Sequence, residues 1–295
     1  DLAGAVAEVA AGAYAGRDPA GFLPDLAHAV AAAARPYGGR VRTVVAVVAG
    51  TVSGSRLLQF STRGWDEADL SVLTSRLPAP ATVTLLAGND AALAGLAEAR
   101  RGAARDARVA LHLLVAVGVG GGLIVDGQMV TGTQGAGGEY GHLPFGDPTL
   151  PCPCGASGCW DLMVDGRALA RHRGDPAPAD PLAYARRLLD RLGPGADAAD
   201  QMAAELTARA LGAGLGGLVN AHDPDVVTIG GLAPALRAGA PQAFSQAYQA
   251  GLMTFHRRHP PPVLDAKHGQ DGPVRGALAL AFDHITSPAA LASWA

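Results

Sequence analysis

Cysteine is scarce in this chain, with three residues in 295, all between positions 152 and 159. So few, so close and odd in number, they do not make a disulfide framework and better suit a metal site in a reducing cytoplasm. Aromatic residues make up only 5% of the chain, so helices rich in small residues are expected to pack against sheets. Charge is also sparse: 23 basic against 26 acidic residues leave a formal net charge of -3. No dense Lys/Arg block occurs, which argues against a nucleic-acid surface within this chain. Arg100, Arg101, Arg105 and Arg108 come nearest to a cluster and read as a solvated face. No apolar run reaches the roughly 18 residues a membrane span needs, and the first residues lack the pattern of a signal peptide. What is abundant is apolar material, 49% of the chain, enough to bury a core across two lobes.

Periodicity then orders the chain. Residues 1–15 read as the tail of a β-hairpin, and 19–35 as a helix stopped near Pro36 and Gly38. The valine-rich run 44–49 has the look of a buried parallel strand. A helix over 67–76, a strand over 82–86 and a helix over 89–102 follow. Residues 109–117 form a strand, 118–122 a glycine-rich turn, and 123–125 pair back before a tight turn at Asp126 and Gly127. The Gly-, Pro- and Cys-rich stretch 131–160 should be an ordered loop. Helices over 163–172, 180–192 and 198–221, a strand over 225–229 and a last helix over 274–283 complete the pattern. Strand and helix alternate, so the fold class is α/β with a mainly parallel sheet. The expected division is an N-terminal lobe over 1–88, closed by a helix over 284–295, and a C-terminal lobe over 89–283 that carries the loop 138–161.

Four residues are candidate metal ligands. Cys152, Cys154 and Cys159 lie in one knuckle in which Gly155 and Gly158 permit turns with positive φ, and His142 stands upstream. Such a Cys₃His set suits a closed, structural zinc site, whereas the plain alternative is three small buried cysteines. Gly118, Gly120 and Gly121 lie between two strands, which defeats a dinucleotide-binding reading; they either cradle a phosphate or let another backbone approach. Gly230 and Gly231 end a strand before a helix, where open α/β sheets bind ligands. Asn89 and Asp90 are either ordinary helix caps or, for Asp90, a base facing a cleft. Glu139, three residues before His142, is either a solvated carboxylate or a ligand contact fixed by the metal loop.

Together these residues resemble the ROK family of sugar kinases and sugar-responsive transcriptional repressors. The segment 138–142 followed by the 152–159 knuckle is similar to the family's ExGH and CxCGxxGC motifs, and Asn89-Asp90 resembles its Asn-Asp pair. The 118–127 glycine hairpin and the strand 226–231 resemble its glycine loop and its adenine-side strand. The resemblance implies an actin-like ATPase (ribonuclease H-like) two-lobed fold with a zinc knuckle and a sugar bound between lobes. Asp90 would be the catalytic base. Asn89, Glu139 and His142 would hold sugar hydroxyls, with Asp161 as a further contact one methylene shorter than the family's usual Glu. Residues 1–4 look like the turn after the family's Asp-x-Gly-x-Thr phosphate loop, so the first strands of the N-terminal lobe are expected upstream of this sequence.

A kinase needs that loop, with ATP and Mg²⁺ as the donor; a repressor needs a helix-turn-helix ahead of the domain. The run 158–161 looks more like the regulator members, and 45–50 lacks the usual Gly-x-Pro-Gly turn, whereas Asp90 favours a kinase. The expectation is therefore the sugar-binding effector domain of a repressor, a homodimer or tetramer that reaches DNA only through a module outside this chain. The alternative is an ATP-dependent sugar kinase.

Overall fold

Asp18 and Pro19 start the first described helix, because the aspartate side chain accepts the Gly21 N–H at 2.8 Å and proline suits the first helical position. The structure is a computed structural model that describes residues 18–78 and 82–292. The strand and turn expected over 1–15 lie outside the described residues.

After α1 (Pro19–Ala34) come β1 (Thr43–Val48), β2 (Thr51–Ser53), β3 (Arg56–Gln59), β4 (Ala68–Asp69) and β5 (Thr84–Asn89). β1 and β5 pair in parallel, from Thr43 opposite Thr84 to Val48 opposite Asn89, while β2, β3 and β4 form an antiparallel sheet. Leu23, Val52, Leu57, Leu70 and Leu73 make the core under these strands. α2 (Asp90–Arg101) leads to β6 (Val109–Ala116), β7 (Gly118–Val125) and β8 (Gln128–Met129). Then follow α3 (Asp161–Val164), α4 (Gly166–Arg173), α5 (Pro181–Leu189), α6 (Ala198–His222), β9 (Val226–Gly231), α7 (Ala233–Gly239), α8 (Pro241–Gly251) and α9 (Thr254–Arg258). β10 (Val263–Asp265), α10 (Gly272–Ile285) and α11 (Pro288–Ala292) end the described chain.

The larger sheet has the order β10-β9-β6-β7-β8, with β6, β9 and β10 parallel. β6 is apolar apart from the buried His112, which pairs with the Thr228 hydroxyl at 2.8 Å, and it is covered on both faces as a central strand requires. Its Leu111 and Leu113 share the main core with Trp160, Leu211, Leu215 and Ile229. α2 packs on β6, β7 and α10, and α10 packs in turn on β1, so these two helices tie the two sheets together.

Four expectations are corrected. The helix expected over 67–76 is β4 followed by a 3-10 turn over Leu70–Thr74. Asp69 accepts the Ser71 N–H and hydroxyl at 2.9 and 2.7 Å, and Leu70 and Leu73 sit one 3-10 turn apart. The valine run 44–49 is only half-buried, with Val47 exposed. Gly118–Gly122 is no turn, because all five residues pair with β6 inside β7. The helix expected over 163–172 breaks at Asp165, whose buried carboxylate accepts the Arg167 N–H at 2.8 Å and starts α4.

Candidate active site

β1 and β5 end side by side at Val48 and Asn89, and β6 ends at Ala116. Carboxyl ends of parallel strands are where open α/β sheets bind ligands. Here they border one cleft of about 240 Å³. Gly50, Thr51, Gln59, Phe60, Thr62 and Arg63 line one side of it. Asn89, Asp90, Glu139, His142 and Asp161 line the other, so every polar side chain expected around a sugar borders the same space.

Asn89 is the N-cap of α2. Its Oδ1 accepts the N–H groups of Ala91 and Ala92 at 2.9 and 3.1 Å, and its Nδ2 donates to the Gly50 carbonyl at 3.2 Å. The capping role therefore holds for Asn89. Asp90 follows as the first helical residue, with Oδ1 accepting the Ala91 N–H at 2.8 Å. Burial dominates its protonation and pushes the carboxyl up to about 6; backbone N–H groups pull it down and the neighbouring Glu139 charge pushes it further up.

Glu139 is not a free surface carboxylate. The Thr51 hydroxyl donates to its Oε1 at 2.7 Å, and His142 Nε2 stands 3.9 Å from its Oε2. Asp161 opens α3 and is almost wholly buried, with Oδ1 accepting the Val119 N–H at 2.6 Å and Oδ2 lying 3.8 Å from His142 Nδ1. Burial raises its carboxyl.

His142 also belongs to a second group. The donor atoms of His142, Cys152, Cys154 and Cys159 all lie within 4.8 Å of one another. Cys152 Sγ is 3.8 Å from His142 Nδ1, and Cys154 Sγ is 3.7 Å from Cys159 Sγ. Gly155 and Gly158 take φ of +97° and +72°, the left-handed turns that aim the thiols together. Trp160, buried next to Cys159, anchors the loop by donating its indole N–H to the Ala210 carbonyl of α6 at 3.0 Å.

The glycines serve close packing. Ala91 lies against Gly120 and the Tyr140 ring against Gly121, while the Asp161 carboxylate sits against Gly118. Gly118 and Gly120 border the cleft; Gly230 and Gly231 end β9 outside its lining, with Gly231 pressed on the Val115 carbonyl. Thr51 was not among the residues expected in the site. The signal available was its place just beyond the carboxyl end of a parallel strand, beside Gly50.

The sequence profile described as the ROK family matches residues 18–284. The chain belongs to the ROK family. Its relatives include an N-acetylmannosamine kinase from Salmonella paratyphi A, 29% identical over 89% of this chain and 87% of the relative. An N-acetyl-D-glucosamine kinase from Vibrio vulnificus is 31% identical over 73% of this chain and 76% of the relative. Among solved structures, a ROK family glucokinase from Streptomyces griseus in complex with glucose and AMPPNP superposes with a TM-score of 0.73. It is 23% identical, with 89% of this chain and 88% of that one covered. A ROK family transcriptional regulator, a homologue of the E. coli Mlc protein, shares the fold at a TM-score of 0.72 and 19% identity, over 88% of this chain and 68% of its own.

These likenesses correct the expectation of a repressor's effector domain. The relatives at 29% and 31% identity are both named sugar kinases, and the regulator shares the fold alone. Among the described residues no helix is long and apolar enough to cross a membrane.

Proposed function

We propose that this chain phosphorylates a hexose or N-acetylhexosamine at the expense of ATP, with Asp90 as the general base. The observation that carries the reading is Asp90 itself: a carboxylate bordering the cleft, at the start of a helix, raised to about 6 by burial. A base near that value is ionised at neutral pH yet basic enough to take a proton as a hydroxyl attacks. Asp90 accepts the sugar hydroxyl proton while the sugar oxygen bonds to the γ-phosphorus. The bond from that phosphorus to the bridging oxygen breaks, and ADP leaves with the electron pair. Glu139 and His142 hold neighbouring hydroxyls, and Asn89 adds its Nδ2 where the sugar displaces the Gly50 carbonyl. Asp161 holds the Val119 backbone and faces His142, which makes it a positioning residue. The donor is read as ATP with Mg²⁺ from the likeness to the glucokinase solved with AMPPNP. Of the glycines expected near the nucleotide, Gly118 and Gly120 border the cleft and are the residues assigned to its phosphate side.

The Cys/His cluster fits zinc. With Zn–S bonds of about 2.3 Å, a tetrahedral site has S···S edges of about 3.8 Å. The 3.7 Å Cys154–Cys159 separation matches that edge, and the 3.8 Å from Cys152 Sγ to His142 Nδ1 lies close to the S···N edge of about 3.6 Å that a shorter Zn–N bond gives. Four protein donors leave no open position, so zinc would brace the loop that carries Glu139 and His142 and take no part in chemistry.

The test is an assay of the full-length protein with ATP against glucose, N-acetylglucosamine and N-acetylmannosamine. One of these should be phosphorylated, and Asp90→Asn should lower kcat by about 10²- to 10⁴-fold with sugar affinity little changed. An Asp90→Asn protein that turns over normally would remove the assignment. Elemental analysis should find one zinc per chain, lost in Cys159→Ser.

A further inference from the structure

The far end of α2 borders a second hollow, of about 230 Å³, formed with α10. None of its lining residues borders the cleft. Its floor is apolar, made by Ala97, Leu278, Ala279 and Phe282. Around it stand Arg100, Arg101, Arg275 and His268, with Asp283 the single acid of the lining. Asp283 is already committed, for its Oδ2 takes Arg100 Nη2 at 2.7 Å while Arg100 Nε donates to the Gly127 carbonyl at 2.9 Å. Glu98, the buried acid nearby, is satisfied by the backbone N–H groups of Ala103 and His268.

Three groups are left over. The Arg101 side chain makes no hydrogen bond or ion pair among the described residues. Arg275 has Asp271 at 3.8 Å, a pair 44% and 75% exposed, which offsets little of its charge. The His268 Nε2 is shut off from solvent with no hydrogen-bond partner among the described residues. The helix dipole accounts for Arg100 and Arg101, which lie in the last turn of α2 where cations are favoured. It does not account for Arg275. That residue lies near the start of α10, where the dipole favours an anion and the acid present is the largely exposed N-cap Asp271.

We propose that this hollow is a second ligand site, for a small organic phosphate or carboxylate with an apolar body. The anion meets Arg101 and Arg275 beside the start of α10, the body lies on Leu278 and Phe282, and His268 Nε2 supplies a polar contact. The inference does not rest on the kinase reading.

Calorimetric titration of the full-length protein with phenyl phosphate, inorganic phosphate and phenol tests it. Phenyl phosphate should bind at least tenfold tighter than either of the others, because only it presents both halves. Arg101→Ala combined with Arg275→Ala should weaken it at least tenfold and leave the melting temperature and sugar binding in place; Arg101→Ala alone, on an exposed side chain, gives the same direction if the double variant folds poorly. Equal binding of inorganic and phenyl phosphate, binding that survives the arginine changes, or displacement of phenyl phosphate by sugar or ATP would each overturn the proposal.

Discussion

The two ends of α2 each bury a carboxylate, about two turns apart, and treat it in opposite ways. Asp90, at the cleft end, is raised to about 6 because burial outweighs the backbone N–H groups near it. Glu98, at the far end, is 1% exposed, and burial pushes its carboxyl up as well. There the N–H groups of Ala103, His268 and Lys267 outweigh burial and hold it below its ordinary value. Burial alone thus does not mark a functional acid. The number of fixed donors decides, and even the favourable N-terminal end of a helix dipole does not rescue Asp90 from desolvation.

The largest expected effect lies at the cleft end. Asp90 acts as a base only when ionised, so kcat/KM should fall tenfold per pH unit below about 6, roughly a hundredfold between pH 7 and 4. A rate flat to pH 5 would erase the contrast between the two acids. At the other end the effect should be on stability. Glu98→Ala strands several buried N–H groups and should cost about 3 kcal/mol, read as a lower urea midpoint. Its pH–rate profile should stay that of the wild type.

A smaller effect has the opposite sign. Asp90 has a folded-state value near 6, above the 3.8 of an ordinary Asp, so the folded chain holds the proton more tightly and stability falls as pH rises between those values. Asp90→Asn should therefore be more stable than wild type above pH 6, with the gain vanishing toward pH 4. Melting curves at pH 8 and pH 4 check this. An equal offset at both would mean that the Asn acts through packing and not through charge.

What the sequence disclosed follows how local the cause is. The thiol knuckle was legible because ligands and turn glycines share one short segment, and Gly155 and Gly158 do take positive φ. The start of α2 was legible from its Asn cap. The helix misread over 67–76 had apolar residues at a spacing that suits either helix, and the Asp69 cap chose the tighter one. Gly118–Gly122 looked like a turn because nothing local announces that α2 and Tyr140 will press on a glycine strand. Residues 232–273, which hold α7, α8, α9 and β10, carry no motif and were not read. Thr51 was missed because its partner, Glu139, lies 88 positions away.

Glu139 is the third acid of the comparison, and Thr51 decides which of the other two it resembles. Its donor is a side chain across the cleft, unlike the backbone N–H groups that serve Glu98 and the start of α2 that serves Asp90. Thr51→Val keeps the shape and deletes the hydroxyl. If the bond orients Glu139 for the sugar, its loss should raise KM about threefold to tenfold with kcat unchanged, the scale of one hydrogen bond of about 1 kcal/mol on a partly exposed acid. If instead KM falls, the hydroxyl competes with the sugar for Oε1, and Glu139 is a satisfied acid that substrate must release. Either result moves Glu139 to one side of the contrast, because a structural bond unrelated to the sugar would change melting temperature and leave KM alone.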